Sequence, residues 1–165
     1  PLMDRFTNSA VFIAFFALLT LPTSFSLSAE APVDKSSTTP LTPQVHRGPV
    51  DLRLTLDGKS ILVANEQSNS IALIDVASKR VVQEFVCGER PAKIELVGKA
   101  QCLVSCSYSG DIYWLEFSTT GFKLLERFHV GYEPIGIAVD VKRMRAFVAT
   151  ALSASITEID LTEKK

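Results

Sequence analysis

The chain has no excess of either charge: its 165 residues carry 17 Lys and Arg against 18 Asp and Glu, intermixed, for a formal net charge of -1. Such a balance offers no basic face to a phosphate backbone, so no nucleic acid is expected among its partners. Histidine is scarce. His46 and His129 stand far apart, neither with a second histidine or an acid at ligand spacing, and no metal centre is expected. There is no Cys-x-x-Cys-His haem attachment motif, no glycine-rich phosphate loop and no Gly-x-Ser-x-Gly nucleophile elbow. No cofactor and no catalytic residue are therefore assigned to this stretch, and a haem is expected only if a cytochrome module lies beyond residue 165.

A membrane-spanning run is missing as well. The apolar segment over residues 10–21 falls short of the roughly 18 to 20 residues that a spanning helix needs. It has instead the form of a secretory leader. Counting from Met3, Arg5 precedes the apolar segment, Pro22 ends it, and the small residues Ser26, Ser28 and Ala29 follow. Residues 1–29 are read as a signal peptide cleaved after Ala29, with an uncleaved anchor as the alternative. Export to the periplasm, cell surface or medium follows, with membrane contact only through the leader. Residues 30–47 place Pro32, Pro40 and Pro43 among Ser36, Ser37, Thr38 and Thr39 without apolar period, which is linker chemistry.

From residue 48 a repeat governs the sequence. Gly48-Pro49, Arg90-Pro91 and Glu133-Pro134 open three copies whose prolines lie 42 and 43 residues apart, the length of one propeller blade. Alternating apolar residues follow each proline: Val50, Leu52, Leu54; then Ala92, Ile94, Leu96; then Ile135, Ile137, Val139. That period puts one face of a first strand into a core. A turn comes next, clearest in Asp57-Gly58-Lys59. Short buried runs over 61–65, 102–106 and 146–150 predict second strands, each with valine followed by a small residue: Val63-Ala64, Val104-Ser105, Val148-Ala149. Third strands are predicted over 71–76, 112–117 and 156–161, with Asp75, Glu116 and Asp160 in register. Fourth strands are predicted over 80–86 and 122–130, of edge-like character. A non-repetitive antiparallel sandwich would not repeat these offsets. The expected fold is an all-β propeller with blades at 48–87, 88–130 and, in part, 131–165.

The first copy, with Pro49, Leu56-Asp57-Gly58-Lys59, Ile61-Leu62-Val63-Ala64-Asn65, Ser68-Asn69-Ser70, Ile74-Asp75 and Arg80-Val81-Val82, resembles the YVTN-type repeat of seven-bladed propellers. The second copy departs at Cys106 and Tyr108-Ser109-Gly110, and the third lacks the Asp-Gly turn. Members of that family share a fold more than a function. Propellers close with about four to eight blades. The chain is accordingly read as an amino-terminal fragment, which, expressed alone, is expected to be poorly soluble and to unfold without cooperativity. Assembly of several copies into one ring is the alternative.

Cys102 and Cys106 share a strand, roughly 13 Å apart at strand rise, too far to bridge. A Cys87–Cys106 bridge near one rim is the alternative, but all three are read as buried thiols acting as small hydrophobes. The resemblance implies a ligand rim formed by the crossovers between blades and the loops joining second to third strands. Its candidates are Glu66, Asn69, Glu89, Arg90, Tyr108, Tyr132 and Glu133. The expected function is a binding or interaction scaffold at the cell envelope, for a protein or small-molecule ligand of unknown identity. The alternatives are the propeller part of a periplasmic redox protein fused to a c-type cytochrome, and a propeller lactonase-like hydrolase. Amino-terminal sequencing of the exported protein is expected to begin at Glu30; a first residue upstream of position 10 would show the leader retained.

Overall fold

The computed structural model describes residues 46–165. The segments read from the sequence as leader and linker, apart from His46 and Arg47, lie outside the described residues. Eleven strands follow, and among the described residues there is no helix. The first sheet contains β1 (Pro49–Leu54), β2 (Ser60–Asn65), β3 (Ser70–Asp75) and β4 (Arg80–Val86). The second contains β5 (Pro91–Leu96), β6 (Gln101–Cys106), β7 (Asp111–Ser118) and β8 (Gly121–His129). The third contains β9 (Pro134–Asp140), β10 (Arg145–Thr150) and β11 (Ser155–Asp160). Each is an antiparallel meander in sequence order, and no strand pairs across sheets. The first strands β1, β5 and β9 lie side by side, and the outer strands β4 and β8 also touch, so the sheets fan about a common inner edge. That is propeller geometry.

The backbone repeats more faithfully than the side chains. Gly48, Arg90 and Glu133, each just before a proline, all take left-handed φ of 60°, 56° and 55°. Two of these are not glycine, and the conformation costs them about 1 kcal/mol or more. A register irregularity follows each proline, which lets the chain turn from the crossover into the inner strand. The third copy makes its first turn without glycine: Met144 takes φ 54°, and the Asp140 carboxylate accepts the amides of Lys142 and Arg143. Asp75 and Asp160 do the same after β3 and β11, accepting the amides of Ser78 and of Thr162 and Glu163. Their recurrence is therefore turn chemistry.

The core lies between sheets rather than within one. Leu62, Ala64, Ile71 and Leu73 of the first blade meet Ile94, Cys102, Val104, Cys106, Leu115 and Phe117 of the second. Across the other seam, Leu103, Ile112 and Trp114 meet Ala146, Val148, Ile159 and Leu161. Alternate residues of β6 thus serve opposite seams, which is why positions 102–106 are all buried. Gln83 crosses the first seam near its outer edge, accepting the Phe122 amide at 2.5 Å.

One expectation is corrected. Leu52 and Leu54 do not enter a core: they are 61% and 54% exposed, whereas Ile94, at the position equivalent to Leu52, is fully buried. Val50 and Ile135, at the irregularity that follows each proline, also fail to enter a core and are 49% and 55% exposed. Beyond the bulge the alternation is right, but the Leu52 face needs a blade before it, and among the described residues none is there. Phe147 and Ile156 on the far face of the third blade are exposed for the same reason, at 40% and 75%. The contrast is measurable by native-state hydrogen exchange of the strand amides, which needs no cooperative transition. Leu103→Ala is expected to cost about 2–5 kcal/mol, while Leu52→Ala stays within about 0.5 kcal/mol; equal losses would show the Leu52 face to be covered.

Candidate functional site

Every crossover is tied to a loop between second and third strands. The Gly48, Arg90 and Glu133 carbonyls accept the amides of Glu66, Ser107 and Ala151 at 2.8, 2.8 and 2.9 Å. The ties also pass between blades. The Arg90 amide donates to Asn69 Oδ1 at 2.9 Å, and the Glu133 amide to the Ser107 carbonyl at 3.0 Å. These ties link the crossovers to the loops between second and third strands at one end of the sheets.

The structure divides those candidates into two groups. At the first junction the Arg90 guanidinium pairs with Glu66, with Nε to Oε1 at 2.8 Å, while Asn69 is occupied by the Arg90 backbone. These three hold the rim together. At the second junction Glu89, Tyr108, Tyr132 and Glu133 converge on a recess of about 530 Å³. Ser107, Ser109 and Leu152 complete its lining and were not singled out from the sequence. Leu152, a large apolar residue in a loop, was the available signal. Tyr108 and Tyr132 are 65% and 64% exposed.

Beside this recess a buried acid begins β7. Asp111 is 1% exposed in its side chain and binds Arg127 at 2.6 Å and His129 Nδ1 at 3.2 Å. Arg127 also lies over the Tyr113 ring, 5.5 Å from its centroid. Burial pushes the Asp111 carboxyl up, but hydrogen bonds from Arg127 and His129 outweigh it and hold the group below its ordinary value. His129 therefore does have an acid partner. Sequence spacing hid it because Asp111 and His129 are opposed across the β7–β8 pairing. Gly110, one residue earlier, has φ 72° and sits so close to Gly131 that a Cβ would lie 2.8 Å from its carbonyl oxygen.

Cys87, Cys102 and Cys106 are buried, free thiols in the first seam. The Cys87 side chain and then burial push the Cys106 thiol far up, and burial does so for Cys102, so neither forms a ready thiolate nucleophile. Along the inner strands Asp51, Arg53, Lys93 and Glu95 neutralise one another, with Asp51–Arg53 at 3.1 Å, Lys93–Asp51 at 3.6 Å and Arg53–Glu95 at 3.7 Å. Asp51 also accepts the Ile94 amide at 2.9 Å, joining the two blades. Among the described residues no group of three or more His, Cys, Asp or Glu is placed to hold a metal ion.

Three antiparallel sheets fanned about an inner edge, with seams between their faces, define the class: this is a β-propeller arc. No protein family and no curated protein matches the chain. Solved structures do. The hydrazine synthase of Kuenenia stuttgartiensis superposes with a TM-score of 0.66 at 19% identity, over 78% of this chain and 36% of that one. The periplasmic gluconolactonase of Pseudomonas aeruginosa gives 0.63 at 16% identity, over 73% and 38%. A β-propeller domain from Myceliophteria thermophila gives 0.62 at 10% identity, over 71% and 41%. At such identities the likeness is one of fold. The chain accounts for well under half the length of each.

The Asp111 cluster makes a prediction. Asp111→Asn is expected to destabilise by about 1–3 kcal/mol at neutral pH, since a buried charge-assisted contact is lost. The folded carboxyl lies below its ordinary value of 3.8, so its contribution is full above that value and disappears as pH falls through the lower folded one. Hydrogen-exchange protection of the β7 and β8 amides from pH 7 to pH 2 should show the gap between wild type and variant closing only on the acid side; a constant gap would contradict the assignment.

Proposed function

We propose that this is an exported β-propeller serving as a binding scaffold at the cell envelope, with the recess between its second and third blades as the contact surface. The observation that carries the reading is the convergence of Glu89, Tyr108, Tyr132 and Glu133 on that recess. Exposed tyrosines on rigidly tied loops are typical of recognition surfaces. The leader-like pattern of residues 1–29 supports export, as does the periplasmic setting named for the Pseudomonas neighbour.

The gluconolactonase neighbour favours a second reading, a lactone hydrolase. That chemistry would need polar groups free to act near the inner strands, where Asp51, Arg53, Lys93 and Glu95 engage one another and Ile94. The two readings separate in two measurements. A pH-stat assay with glucono-δ-lactone is expected to show only the spontaneous rate; a rate removed by Asp51→Asn would establish the hydrolase instead. A photo-crosslinking residue at Leu152, in cells exporting the full chain, is expected to give adducts that the same group at Lys123, beside the β7–β8 turn, does not. Equal labelling at both positions, or none at Leu152, would remove the recess as the contact surface.

A further inference from the structure

We infer that the recess between the second and third blades binds a compact organic cation of the alkylammonium class, held between Tyr108 and Tyr132 and neutralised by Glu89 and Glu133. The inference rests on the reading of this recess as the binding surface and adds the chemistry of what enters it.

The two junctions of the rim are equivalent position by position, so their differences are informative. Arg90 and Glu133 occupy the same left-handed position before proline, and Glu66 and Ser107 donate the equivalent loop amides to adjoining carbonyls. At the first junction the side chains at these two positions form an ion pair, Arg90 with Glu66. At the second the same positions hold Glu133 and Ser107: an acid stands in the cation's place, and Glu133 takes part in no ion pair among the described residues. Glu89 likewise takes part in no ion pair among the described residues. Its neighbour Arg90 is already engaged. The loop residues change in the same sense: Tyr108 stands where the first blade has Gln67, each donating its amide to a crossover carbonyl.

Two glutamates without counter-ions among the described residues thus line a hollow together with two largely exposed tyrosines and Leu152. Its volume, about 530 Å³, suits a small ligand. An aromatic face attracts a cation through its quadrupole, and methylated ammonium groups use this attraction while tolerating the loss of water. A neutral saccharide would also stack on tyrosine, but it would leave both negative charges uncompensated. An anion would be repelled.

The test uses the full chain and choline, with its uncharged carbon isostere 3,3-dimethylbutan-1-ol as control, followed by isothermal titration and by the tyrosine ring signals in NMR. Choline is expected to bind at least about tenfold more tightly than the isostere, and more weakly as salt is raised, because the carboxylates are exposed. Glu89→Gln with Glu133→Gln, and separately Tyr108→Ala with Tyr132→Ala, should each weaken it by about tenfold or more, with near-ultraviolet circular dichroism around Trp114 unchanged. Binding of the isostere as tightly as choline, binding of neutral saccharides alone, or choline binding that survives both double variants would overturn the inference. Phosphatidylcholine vesicles identify the source: co-sedimentation lost in these variants puts the ammonium on a lipid, and choline binding without co-sedimentation puts it on a soluble ligand. Adducts at Leu152 without choline binding would leave the scaffold reading standing and dismiss the cation.

Discussion

A sheet of four strands, each six to nine residues long, cannot bury its apolar faces against itself, so each blade depends on the face of the next. The second blade shows what this demands. Cys102, Val104 and Cys106 of β6 pack toward the first blade, while Leu103 packs toward the third. Five consecutive residues are thereby withdrawn from water, although each sheet is only one strand thick. The first and third blades each satisfy one face in this way. Their other faces display Leu52, Leu54, Phe147 and Ile156 among the described residues, in the pattern that makes buried seams elsewhere in the same molecule.

Packing of this kind is non-directional, and register comes from polar contacts at the blade edges. Asp51 takes the Ile94 amide at the inner strands, Gln83 takes the Phe122 amide near the outer edge, and Asn69 takes the Arg90 amide on the rim. Each is a side chain of one blade holding backbone of the next. The left-handed residues before the three prolines serve the same end, aiming crossover carbonyls at the loops beneath them. Strain at Arg90 and Glu133 is thus offset by hydrogen bonds that fix the rim. A rim fixed in this manner can carry variable side chains without disturbing the fold.

The same division explains what could be read from the sequence. Strand positions, the grouping of strands into sheets and the small residue after each valine were legible because every copy repeats them. Exposure of Leu52 was not, since its alternation matches that of Ile94 and differs only in what lies alongside. The partnership of His129 with Asp111 was hidden because it follows from cross-strand register, and separation along the chain says nothing of that. The rim candidates were identified as one set, yet Arg90 belongs to the scaffold and Glu133 to the recess. Their loop partners decide this, through a glutamate in one blade and a serine in the next.

Function in such a fold is therefore to be sought where the copies disagree. Positions that agree among blades report the geometry of a blade, and even the recurrent acids Asp75 and Asp160 resolve into turn contacts. Positions that differ without disturbing the backbone are free of that duty. Around the second junction several such differences coincide: a cation replaced by an acid, its partner by a serine, and an amide side chain by a tyrosine. An exposed tyrosine and an uncompensated carboxylate each contribute little to folding. Their gathering in one recess, on loops held by main-chain hydrogen bonds, is a difference that neither the repeat nor the fold requires, and it is on this difference that the proposed binding role rests.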